Sequence, residues 1–206
     1  MSESNGGLWG TWLSLFILFS LLSLFTDHVQ VGVMQNAVPE INGIQFALAR
    51  NISNNVNGLQ IALNNSATNV NGAQIGMVSN AGELNGIQLN LIESDGILIN
   101  GIQFAPINGK ILQSSLSLNG VQFGIINTSY LLNGIQMAWL SNQGTSINGI
   151  QASFFLNRIV RNNSDEPRVN VIQIGLLNFV NTSAKTYCIS DLLWGLFPLF
   201  NACASL

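Results

Sequence analysis

The chain has 206 residues, a formal net charge of −3 and only 7% charged residues, against roughly 25% in a typical soluble domain. Six Lys and Arg scattered among nine acids argue against a basic surface for nucleic acid. Neutral hydrogen-bonding residues take the place of charge, a composition suited to columns of like side chains, where amides bond to their neighbours and like charges would repel.

In chain order, a polar start, Met1–Gly7, precedes Leu8–Phe25, eighteen uncharged residues. That length just suffices to span a bilayer as a helix. The flank carries Glu3 and no base, and no small-residue cleavage site precedes Thr26-Asp27-His28, so the pattern is poor for a secretory signal and gives no orientation. Residues 1–28 are therefore read as an apolar N-terminal segment, with membrane anchor, hydrophobic cap and cleaved signal as the three readings. His28 is the sole histidine. A pH-sensing or ligand role weighs less than a boundary position, because no second ligand or nucleophile lies nearby.

From residue 29 to 180 one unit repeats. Its form is VNGLQIAL at 56–63, INGIQFAL at 41–48, LNGIQLNL at 84–91 and LNGVQFGI at 118–125, with further copies between and beyond. Around the glutamine, apolar residues alternate with polar or small ones, the period of a strand. The glutamines are Gln30, Gln45, Gln60, Gln74, Gln88, Gln103, Gln122, Gln136, Gln151 and Gln173, mostly 14 or 15 residues apart. An Asn-Gly pair, which tolerates positive φ, precedes most of them and marks a corner at Gly43, Gly58, Gly72, Gly86, Gly101, Gly120, Gly134 and Gly149. A small residue follows two places after each glutamine except at Asn90. An asparagine follows at five or six places, at Asn36, Asn51, Asn65, Asn80, Asn108, Asn127, Asn142, Asn157 and Asn178, with Ser94 standing in once. Each unit reads as a corner, a strand and a polar return.

Two steps are long. One contains Pro106, Asn108-Gly109 and Lys110, an extra loop or partial coil. The other contains Asn157–Arg168, NRIVRNNSDEPR, a charge-dense stretch read as an exposed loop, either a recognition loop or a solvated bulge. Residues 181–206 are read as an apolar C-terminal cap centred on Leu192–Phe200, since an open solenoid end must be covered. Cys188 and Cys203 could form a disulfide or stay as buried thiols.

Three architectures suit an all-β chain of this kind. In a parallel β-solenoid of about ten coils of 14–15 residues, capped at both ends, each glutamine lies about 4.8 Å above its counterpart and the buried amides satisfy one another, avoiding a penalty of roughly 1–3 kcal/mol each. In an antiparallel meander, Asn-Gly would form hairpin turns, but the column would be lost. A transmembrane barrel suits the alternation but needs strands of about 9–11 residues, longer than the clean alternation here. The identical phase of every unit favours the solenoid.

Catalytic constellations are missing from the pattern. Glu93 and Asp95 invite a paired-carboxylate reading but sit in a polar return and read as a surface turn. No phosphate-binding glycine motif occurs, no Cys/His spacing suggests a metal, and neither a cofactor nor a small-molecule substrate is indicated.

The pattern x-G-[IVL]-Q-[IVLF]-[GA]-[ILV]-x-N, as in VIQIGLLN at 171–178 and NGVQFGIIN at 119–127, resembles the bacterial surface-repeat proteins built of tandem GLQIGLxN units. Phe197-Pro198-Leu199-Phe200-Asn201 is similar to their closing segment, and Leu13–Phe25 to the apolar stretch before their repeats. The resemblance spans residues 13–201 and implies an envelope or cell-surface location without an assigned activity. The resulting expectation is a non-enzymatic structural or adhesive repeat protein, membrane-associated through Leu8–Phe25, which meets a protein partner through its returns and the 157–168 loop. A self-assembling, fibre-forming subunit and a membrane pore are the alternatives.

Overall fold

The structure is a computed structural model that describes residues 28–109, 117–161, 169–182, 186–188 and 200–205. The strands are β1 (Val29–Gly32), β2 (Gln35–Ala47), β3 (Arg50–Ile61), β4 (Asn64–Phe104), β5 (Ile107–Asn108), β6 (Ser117–Ser153), β7 (Leu156–Arg161), β8 (Asn170–Ile174), β9 (Leu177–Thr182), β10 (Thr186–Cys188) and β11 (Phe200–Ser205). Pairing from β1 to β9 is parallel, and each repeat lies in register on the one before: Gln45 opposite Gln60, Gln60 opposite Gln74, Gln103 opposite Gln122. This is a parallel β-solenoid, and the parallel register rules out the meander and the barrel.

It makes about eight turns, fewer than the ten coils expected from ten glutamines. The eight Asn-Gly pairs that precede a glutamine each head one coil, while Gln30 and Gln173 belong to partial coils at the two ends. The polar return is also not a loop. It is a second strand-forming leg with its own parallel register, Asn51 on Asn65 and Ile52 on Ser66, which is why β4 runs unbroken for 41 residues. In a stacked coil both legs gain neighbours above and below, so the polar sequence of the return does not prevent pairing.

The Asn-Gly corner needs a similar correction. β4 passes straight through Gly72, Gly86 and Gly101, and strands break instead at 48–49, 62–63 and 105–106. Glycine is nonetheless obligatory in the column. All eight have φ between 145° and 155°, a region nearly closed to other residues. At Gly101 a Cβ would land on the carbonyl oxygen of Gly86 one coil below.

The apolar core is built around one column, the residue before each Asn-Gly: Ile41, Val56, Val70, Leu84, Ile99, Leu118, Leu132 and Ile147 are all at most 2% exposed, and Ala67, Ala81 and Ile159 of the return leg pack into the same cluster. Nine residues separate each inner Asn or Ser from the next glutamine, as from Asn36 to Gln45, Asn65 to Gln74 and Asn142 to Gln151. The two longer gaps, Asn108 to Gln122 and Asn157 to Gln173, contain residues 110–116 and 162–168, outside the described residues. The expected loop at 157–168 therefore shrinks: Leu156–Arg161 is strand β7, paired with β6 and β9, and Asn157 and Ile159 are fully buried.

At the C-terminal end the direction of pairing changes. β11 lies antiparallel on β8, with Asn201 opposite Gln173, and β10 lies antiparallel on β11. Cys203 is disulfide-bonded; the chain has two cysteines, and Cys188 is its cross-strand neighbour. Most of the apolar run at 192–200, like Leu8–Phe25, lies outside the described residues. No helix among the described residues is long and apolar enough to cross a membrane.

Candidate functional site

The ten glutamines stand in one buried column. Each after Gln30 donates its Nε2–H to the Oε1 of the glutamine in the preceding coil, from Gln45 on Gln30 to Gln173 on Gln151, at 2.7–3.2 Å. The last acceptor, Gln173 Oε1, receives Asn201 Nδ2–H at 3.2 Å.

The inner asparagines form a second buried column with the opposite polarity. Asn36 donates forward to Asn51, Asn51 to Asn65, Asn127 to Asn142 and Asn142 to Asn157. The same amides also donate to the backbone carbonyl after the next coil's glutamine, as Asn51 to Ile61 and Asn142 to Ala152. They thereby stitch the two legs together. Because these two columns point in opposite directions, their amide dipoles oppose each other.

The asparagine column is interrupted once. Ser79, not Asn80, takes the ladder position in its coil; Asn80 points outward. Ser94 follows in the next coil. Between them Asn90, from the small-residue position, fills the space: Ser79 Oγ donates to Asn90 Oδ1, and Asn90 Nδ2 donates to Ser94 Oγ, both at 2.7 Å. The two departures noted in the coil of Gln88 are thus one compensated exchange. The repair is incomplete, since Asn108 Oδ1, in the following coil, is buried without a partner.

Outside, three apolar columns run along the coils. They hold the residues just before, just after, and three after each glutamine, such as Ile44, Phe46 and Leu48, or Ile102 and Phe104. Phe104 is 56% exposed and Trp139 65%. Between the second and third columns lies an apolar trough floored by Ala62, Gly76 and Ala105. One stretch of about 730 Å³ is lined by Phe46, Leu63 and Leu91, and another of about 580 Å³ by Phe123, Trp139 and Phe154. Trp139 stacks on Phe154 at 5.2 Å, and Phe155 meets Phe154 edge-on at 4.9 Å. Alternation alone did not say that these apolar residues face out; the buried glutamines fix the parity.

One border of this face is polar. The Asn-Gly asparagines form an exposed ladder, Asn57 donating to Asn42 and onward to Asn133 on Asn119, at 2.8–3.0 Å. Beside it, Glu40, Asn55, Asn69 and Glu83 complete a polar trough of about 390 Å³.

Groups for acid–base or metal chemistry are few. His28 is exposed and donates from Nδ1 to the carbonyl of Asn42 at 2.9 Å. Asp95 is buried rather than in a surface turn, and accepts from Asn80 Nδ2 at 3.1 Å; Glu93, two residues earlier, is half-buried. No group of three or more His, Cys, Asp or Glu that could hold a metal occurs among the described residues. No protein-family model, curated protein or solved structure matches the chain.

Proposed function

We propose that the protein is a non-enzymatic structural or adhesive repeat protein of a membrane or cell surface. The observation that carries this reading is the division of labour in each coil. The inward amides are occupied by one another, whereas the apolar side chains face outward along the stack. Contiguous apolar surface beyond a few hundred Å² marks an interaction site. Leu8–Phe25 supplies the attachment to the bilayer, and the rod presents its outer columns to partners. A disulfide at Cys203 suits an oxidising, extracytoplasmic compartment, in line with the bacterial envelope location implied by the resemblance to GLQIGLxN repeat proteins. The end-to-end fibre reading has weaker support, because the antiparallel β11 covers the outer edge of β8, one of the two legs of the last coil.

The test is flotation of the full chain with phosphatidylcholine vesicles on a density gradient. The reading expects the folded protein to rise with the lipid. Protein that stays at the bottom with intact strand circular dichroism would remove the membrane from the proposal.

A further inference from the structure

We infer that the outer apolar face is a homotypic interface, on which a second copy of this chain packs face to face with its rod running in the opposite direction. The inference rests on the reading of that face as the binding surface and commits it to one occupant.

Area is the first argument. The columns repeat at about 4.8 Å per coil and adjacent columns lie about 7 Å apart. Ten glutamine-bearing rungs and three columns therefore span roughly 43 by 20 Å, on the order of 850 Å² per copy, close to the ~800 Å² per partner of a stable interface. Anatomy is the second. An apolar centre bordered by a polar ladder, the Asn42–Asn133 column, is how protein interfaces are built. A lipid surface has less support among the described residues, where no cluster of Lys or Arg that would engage headgroups is placed beside the face: Arg50 and Arg158 are the described cations whose side chains are placed, and they lie seven coils apart on the return leg.

Size complementarity sets the direction. With a twofold axis lying along the strands, the column after the glutamine meets itself in reverse order. Phe46, in the second rung, then faces Ala152, in the ninth, and Ile75 faces Phe123. Parallel rods in the same register would set Phe46 against Phe46 and leave a void at Ala152. A closed twofold arrangement of this kind is the commonest oligomer.

The experiment measures the mass of the full chain in solution by light scattering and repeats it with substitutions. Wild type is expected at twice 22.2 kDa, that is 44.4 kDa. Ile87→Lys with Ile102→Lys, both outward and 39% exposed, should halve the mass without changing the circular dichroism. Asn54→Lys, exposed on the return leg away from the face, should leave it unchanged. Ala152→Phe should weaken the dimer at least about tenfold, and adding Phe46→Ala should restore it to within about threefold. Failure of that rescue overturns the antiparallel register, and a dimer indifferent to the lysines overturns the interface. A monomeric wild type that floats with vesicles overturns the second copy and leaves the membrane reading standing, since Leu8–Phe25 alone accounts for the flotation. A monomer that also fails to float overturns both.

Discussion

The glutamine and asparagine columns lie side by side in the same coils, yet one is unbroken over ten rungs and the other fails at two. Every glutamine amide bonds a neighbouring glutamine, and the return-leg groups that also reach it, the Ser53 and Ser129 hydroxyls and the Thr128 carbonyl among them, add to the column without taking a glutamine's place. The asparagine column lies next to the small-residue position, which can supply an amide. Asn90 does so between Ser79 and Ser94, at the cost of one orphaned acceptor on Asn108. A column of like side chains is therefore as replaceable as its neighbours make it.

Substitutions can break or sharpen this contrast. The largest effect is expected where both columns are disrupted together. Gly101→Ala sets a Cβ on the Gly86 carbonyl, which only separation of the coils can relieve; it should cost more than ~4 kcal/mol and abolish the cooperative urea transition. Gln103→Leu cuts one column. It strands the Oε1 of Gln88 and the Nε2 of Gln122, and should lower unfolding free energy by about 2–5 kcal/mol. Gln122 keeps only the longer 3.4 Å bond to the Thr128 carbonyl.

Smaller effects belong to the interrupted column. Asn90→Ala deprives two serines of partners, and Ser94→Asn crowds Asn90; each should cost about 1–3 kcal/mol. Together they rebuild the standard coil and give Asn108 a donor, so the double variant should match or exceed wild type. The resulting coupling energy in a double-mutant cycle should exceed about 1 kcal/mol, and additive losses would refute the exchange. Least of all, Asn71→Ser in the solvent-exposed ladder should change stability by less than about 0.5 kcal/mol, despite removing bonds as short as those inside.

The repeat was legible because stacking imposes identical phase: ten glutamines at near-constant spacing led to the parallel solenoid and its amide column. What was illegible depended on the return leg and on side-chain direction. Polar sequence at 50–55 and 64–69 looks like loop, since the partners that make it strand come from other coils. Strand alternation has no sign of its own; the parity came only with the solenoid reading, whose buried amides put Gln45 inside and Ile44 and Phe46 outside. The phase of the return slips by one residue between coils at the 48–49 and 62–63 breaks, which is how Asn80 passed for the ladder residue in place of Ser79. Asp95 looked like a turn carboxylate because nothing local reveals Asn80 reaching it from fifteen residues away.

The central claim is that equivalent residues of successive coils lie on one axis at a single strand spacing. Pulsed electron-spin distances, on spin-diluted protein labelled in pairs along the exposed ladder, test it directly. From Asn57, labels at Asn119 and Asn148 are four and six coils away, and the account predicts about 19 and 29 Å, a rise of about 4.8 Å per coil. Distances that fail to grow with the number of intervening coils would contradict it.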